Sequence, residues 1–162
     1  PIFLGLHVAL SIIGIVAGLI AVFGMVKGRH LPAWAAIFLV TTLLTGVTGF
    51  PLPPFGLDPP RIVGIILLCL LAPAIAGLYL FGLKGIWRTV YVVTGTAALF
   101  LNVFVAIAQS FQKIGPLNAL APTQSEPPFA IAEGIALLIF IALGFLAQRR
   151  FRPDGAAGLS GA

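Results

Sequence analysis

Five apolar stretches, each near the length needed to cross a hydrocarbon core, constrain this chain more than anything else in it. A spanning helix needs about 20 apolar residues at roughly 1.5 Å of rise each. Ile2–Val26, Ala33–Gly49, Ile62–Phe81, Arg88–Gln112 and Phe129–Gln148 meet or approach that length. No water reaches backbone N–H and C=O groups in lipid, so each stretch must satisfy its own by forming a helix. The expected fold is all-α, a polytopic bundle of five transmembrane helices. The second stretch is the shortest, and the fourth carries the most polar side chains.

Composition closes off the soluble alternative. Of the 162 residues, 60% are hydrophobic and 8% charged, against about 25% charged in an ordinary soluble domain. The mean hydropathy of +1.15 reads as lipid-facing surface. Nine Lys/Arg against four Asp/Glu give a net charge of +5, but no clustered basic domain that would bind nucleic acid. The single cysteine, Cys69, excludes a disulfide within the chain, and zinc-ligand spacing is absent. The stretch Ile2–Val26 lacks the basic flank and cleavage site of a signal peptide and reads as a true span. The chain opens on Pro1, so further residues are expected before it. Residues 1–148 form one transmembrane domain, and 149–162 a short tail, basic and then Gly/Ala-rich.

The connectors set an orientation. Lys27, Arg29, Lys84, Arg88, Arg149, Arg150 and Arg152 gather on one side of a five-span topology, leaving only Arg61 and Lys113 on the other. Cytoplasmic loops carry the Lys/Arg excess, so the N-terminus is expected outside and the C-terminus inside. Trp34, Tyr79, Trp87 and Tyr91 fall near the same boundary, where amphipathic rings sit. Both outer loops are rich in proline, and Pro60 and Pro128 suit the first turn of helices three and five. Helix starts account for these prolines, so the loops are expected to be stiff connectors rather than a shaped lid. Asp58 with Arg61, and Lys113 with Glu126, are expected as loop ion pairs of little worth. Pro73 should kink its helix or free a carbonyl.

Helical periodicity sorts the faces. His7, Ser11, Gly14, Gly18 and Ala21 share one, and Gly14 with Gly18 forms a small-residue packing motif. Trp34, Thr41, Thr45 and Thr48 share a second. Tyr91, Gly95, Ala98, Asn102, Ala106, Gln109 and Lys113 make the clearest stripe, small or polar at every position. Cys69 goes with Pro73 and Ala76, and Glu133 with Leu137, Phe140 and Gly144. His7 lies about 7 Å below the start of its helix. Glu133, Thr45, Thr48, Asn102 and Gln109 fall in the same half of the membrane. The expected site is therefore a polar pocket of His7, Thr45, Thr48, Asn102, Gln109 and Glu133 below the proline-rich loops. Ionisable residues within spans are expensive and often functional, which singles out His7 and Glu133.

That pocket limits the chemistry. Bis-histidine haem needs two histidines at one level, but His30 lies about 35 Å along the helix from His7, so one chain cannot clasp a haem between them. Ser11 has no evident base, and Cys69 sits among apolar residues that keep a thiol inert. No catalytic residues, metal ligands or phosphate-binding motif emerge. As a pair, His7 and Glu133 would exchange a proton or hold a polar headgroup such as that of a quinone, or else tie two helix ends together by a hydrogen bond; a lipid or quinone is the ligand carried forward. The stretch Ala119-Leu-Ala-Pro-Thr-Gln-Ser-Glu-Pro-Pro-Phe129, with Leu101-Asn-Val-Phe104 and Leu6-His7-Val8, resembles a group of small bacterial inner-membrane proteins without an assigned activity. The resemblance spans nearly the whole chain and implies a bacterial cytoplasmic membrane, with no substrate or cofactor.

The leading functional expectation is a non-catalytic accessory or assembly subunit, with protein partners or further copies of itself, holding a lipid or quinone. A small transporter or channel subunit is the first alternative, and a haem or quinone redox protein the second. The membrane reading has a direct check. Extraction of membranes with alkaline carbonate should leave the chain in the pellet, and its release into the supernatant would contradict five spans.

Overall fold

The computed structural model describes residues 2–53 and 55–153. It is all-helical, with 82% of residues in helices. Five helices are long and apolar enough to cross a membrane. They are α1 (Ile2–Val26), α2 (Pro32–Gly49), α3 (Pro59–Ile75), α4 (Ile86–Lys113) and α6 (Pro127–Arg150). A short α5 (Gly115–Leu120) lies in the last connector. The sequence reading has only a loop there. Pro1 and the Gly/Ala-rich part of the tail lie outside the described residues.

The spans form a ring in the order α1, α2, α3, α4, α6, and α1 also reaches across to α4. Glycine makes that crossing possible. A Cβ on Gly18 would stand 2.6 Å from Leu99 Cδ1 of α4 and 2.8 Å from Phe38 Cδ2 of α2. One on Gly14 would stand 2.9 Å from Thr42 Oγ1 and 3.0 Å from Thr41 Oγ1. Lipid offers no hydrophobic drive toward helix association, so close backbone approach and van der Waals contact must hold the spans together. The core forms around this seam, with Phe38, Leu39, Leu71, Val92, Leu99 and Phe140 buried.

Proline starts three of the helices. Pro32, Pro59 and Pro127 open α2, α3 and α6, where a missing N–H costs nothing. Two starts thus lie one residue before Pro60 and Pro128. Inside α3, Pro73 cannot donate to the Cys69 carbonyl. The helix then widens into a π-turn over Ala76–Leu80. There the Phe81 amide reaches back to the Ala76 carbonyl at 3.0 Å. The widened turn brings Gly77 against the start of α4, where a Cβ would meet the Trp87 carbonyl at 3.0 Å.

At the end of the bundle carrying most of the basic residues, Arg88 ties α4 to α6. Its Nη1 donates to the carbonyls of Gln148 (3.0 Å) and Phe151 (2.9 Å), satisfying groups that a helix C-terminus leaves bare. Gln148 Nε2 donates to Thr89 Oγ1 at 2.7 Å. His30 lies here too, its ring 6.0 Å from that of Phe151. Burial lowers its pKa below the ordinary imidazole value.

Trp34 is 40% exposed, although Phe38 and Thr45 on the same face of α2 are buried. Leu137 is 44% exposed, and Ala136 and Leu143 lie with Glu133 and Phe140 on the buried face of α6. Cys69 faces outward, while Leu67, Leu71 and Ala74 face the core. Tyr91 is buried, with its ring 6.2 Å from that of Phe151. Periodicity gives residues that share a face, but neighbouring helices decide which face is inside.

The glycine seam makes a quantitative prediction. Gly18→Val should destabilise the bundle by about 1–3 kcal/mol through overpacking. Gly95→Ala has no atom of another element within 4 Å of the new Cβ and should leave stability unchanged or higher. Thermal unfolding in mild detergent compares the two, and equal effects would refute the seam.

Candidate functional site

A cavity of about 1090 Å³ opens in the half of the bundle opposite Arg88. It lies between α1, the end of α2, the start of α3 and the last third of α4. Above the level of Gly14 and Gly18, α1 stays against α2, and the space opens between α1, α3 and α4. Ile12, Ile15, Leu67, Leu101 and Val105 supply apolar wall. Leu4, Val8 and Ile12 are exposed as well as lining, so the space is open rather than sealed.

Four of the six expected pocket residues line this cavity: His7, Thr45, Asn102 and Gln109. Thr48 stands behind His7, with its Oγ1 2.9 Å from His7 Nδ1. A Cβ on Gly49 would lie 3.4 Å from His7 Cε1, so a glycine backs the ring. Lower down, Ser11 Oγ donates to Asn102 Oδ1 at 2.8 Å and joins α1 to α4. Asn102 is 3% exposed, and its Nδ2 has no hydrogen-bond partner among the described residues.

Glu133 is not in this cavity. Rings or side chains meet between α4 and α6 at Phe100–Phe140, Phe111–Phe129 and Thr96–Gly144. Those α4 residues lie on the face opposite Asn102, Val105 and Gln109. The antiparallel register puts Glu133 level with Ile107, about 7.5 Å beyond Asn102 along the bundle. Its depth therefore agrees with the pocket residues, but its side of α4 does not. Glu133 is 9% exposed, with both carboxyl oxygens unpartnered among the described residues.

The first proline-rich loop is more than a connector. Phe50, Pro51, Leu52 and Pro53 line the cavity. Arg61 shapes them. Its guanidinium donates to the carbonyls of Leu52 (2.6 Å), Gly56 (3.0 Å) and Phe50 (3.1 Å) and pairs with Asp58 at 3.2 Å. Asp58 also caps α3, accepting the Arg61 amide at 3.1 Å. The expected Asp58–Arg61 pair therefore forms, with a role beyond its charge.

The Lys113–Glu126 pair does not form. Glu126 turns back on its own loop and accepts the Thr123 hydroxyl at 2.8 Å and the amides of Thr123 and Ser125. Slight desolvation raises its pKa, but those hydrogen bonds outweigh it and hold the carboxyl below its ordinary value. Lys113 instead stands on the cavity rim, within electrostatic reach of the His7 ring. Lys113 and Ser11 were legible as members of the α4 and α1 stripes. Arg61 was legible only as a charge in a loop, since nothing local signals that one side chain gathers three carbonyls.

His7 lies near the start of α1 and His30 in the connector beyond its end at Val26, so about 28 Å of helical rise separates their levels. What the cavity offers is a polar floor and rim within apolar walls. No family model, curated protein or solved structure matches this chain. Its use must be read from its own residues.

The floor can be tested by a double-mutant cycle. Ser11→Ala strands Asn102 Oδ1 and should cost about 1 kcal/mol of stability. Adding Asn102→Leu removes the stranded group and should recover part of that loss. Strictly additive losses in thermal unfolding would show that the two side chains do not interact.

Proposed function

We propose that this chain is a non-catalytic integral membrane protein, an accessory or assembly subunit of a larger membrane complex that holds a lipid or quinone in the cavity beside His7. The observation carrying this reading is the cavity itself. It holds about 1090 Å³, above the roughly 300–1,000 Å³ typical of small-molecule sites. Its polar groups lie at the floor and rim, and its apolar wall sits at the depth where an acyl or prenyl tail would lie.

The subunit reading draws on α6. Its outward face, with Ile131, Ile135 and Leu138 exposed, lies opposite the buried Glu133 and can meet either lipid or another apolar helix. The seven basic residues at the Arg88 end favour a cytoplasmic placement of that end. The cavity then belongs to the outer leaflet of a bacterial inner membrane.

Purification from native membranes in mild detergent, followed by native mass spectrometry, tests both parts. A bound amphiphile lost when Leu101 and Val105 are replaced by Trp, together with copurifying chains whose yield falls when Ile131, Ile135 and Leu138 are replaced by Trp, is the expected result. A bare monomer with neither would overturn the proposal.

A further inference from the structure

The hydrogen-bond polarity of the cavity narrows what it can hold, and the argument rests on the reading of the cavity as a binding site. Thr48 has one hydroxyl hydrogen. Its Oγ1 lies 2.7 Å from the Leu44 carbonyl, one turn back in the same helix, and that carbonyl can only accept. With the hydrogen given to Leu44, or to the Thr45 carbonyl at 3.3 Å, Thr48 Oγ1 acts as the acceptor toward His7 Nδ1, 2.9 Å away. The ring hydrogen of neutral His7 then sits on Nδ1. Nε2 is left as a bare lone pair, with no hydrogen-bond partner among the described residues, on a side chain that lines the cavity.

We propose that the cavity selects an amphiphile whose head carries a hydroxyl, which donates its hydrogen to His7 Nε2, and that Thr48 is the positioning residue that fixes this polarity. A head with only carbonyl or ether oxygens meets lone pair with lone pair at this point. A hydroxyl meets an acceptor. The tail lies along Ile12, Ile15, Leu101 and Val105, and Lys113 stands at the rim beside the head. The head's hydroxyl can be phenolic, as in a quinol, or aliphatic, as in a glycerolipid. The chemistry recognised is the same.

Two probes of one shape test the assignment. 4-Decylphenol and 4-decylanisole share ring and tail and differ only in O–H against O–CH₃. Binding to the purified full chain in nanodiscs is measured at pH 8, where an imidazole of ordinary pKa is neutral. His7→Phe, which keeps the wall apolar, supplies the baseline for the different partition of the two probes into lipid. Relative to that baseline, the wild-type chain should prefer the phenol by about tenfold. Thr48→Val should erase the preference without abolishing binding, because either ring nitrogen can then carry the hydrogen. 1,2-Dioctanoylglycerol, measured in parallel, separates the sources. Binding that depends on His7 points to an aliphatic lipid alcohol, and its absence beside tight phenol binding points to a phenolic head. Equal binding of phenol and anisole would overturn the hydroxyl assignment and leave the cavity reading intact. Failure of all three probes to bind would overturn both.

Discussion

The close approach of α1 to α2 and α4 at Gly14 and Gly18 is the contact on which the rest of this bundle depends. Spans in lipid gain little by burying apolar side chains against one another, since lipid tails are equally apolar. What they gain is contact, and contact is densest where a missing Cβ lets backbones meet. Gly18 lodges between Leu99 and Phe38, and Gly14 lies against the hydroxyls of Thr41 and Thr42. Below this seam the helices stay together, down to the Arg88 clasp on α6. Above it, His7 and Ser11 replace glycine on the same face of α1, which stays against α2 while space opens toward α3 and α4. The cavity is thus the geometric counterpart of the seam.

The polar groups follow the same division. Within the seam they are few and fully enclosed. Around the cavity they become more numerous and face one another across it, with Ser11 joined to Asn102 and His7 to Thr48. Each pair links two helices at a level where apolar contact has thinned. His7, Ser11 and Asn102 thus both join helices and line the cavity.

Much of this was legible in the sequence. Apolar length alone placed the five spans within a few residues of their ends. Periodicity put His7 and Ser11 above the glycines, and Asn102 and Gln109 on one stripe of α4. Depth was legible too, since rise per residue placed Glu133 level with the others. What periodicity could not supply was the angular position of one helix about another. Glu133 therefore fell on the wrong side of α4, outside the cavity it was expected to line. The short α5 was missed because a Gly-Pro start in a polar connector reads equally well as a turn. Thr42 was missed because it adjoins the Thr41, Thr45, Thr48 stripe without belonging to it, yet it is the fully buried one.

The loop over the cavity has a property that follows from Arg61. One guanidinium holds carbonyls near both ends of the segment, at Phe50 and Gly56, together with Leu52 between them and the Asp58 carboxylate. The loop carbonyls at the mouth of the cavity are therefore gathered on one side chain, and moving that guanidinium would release all three of them together.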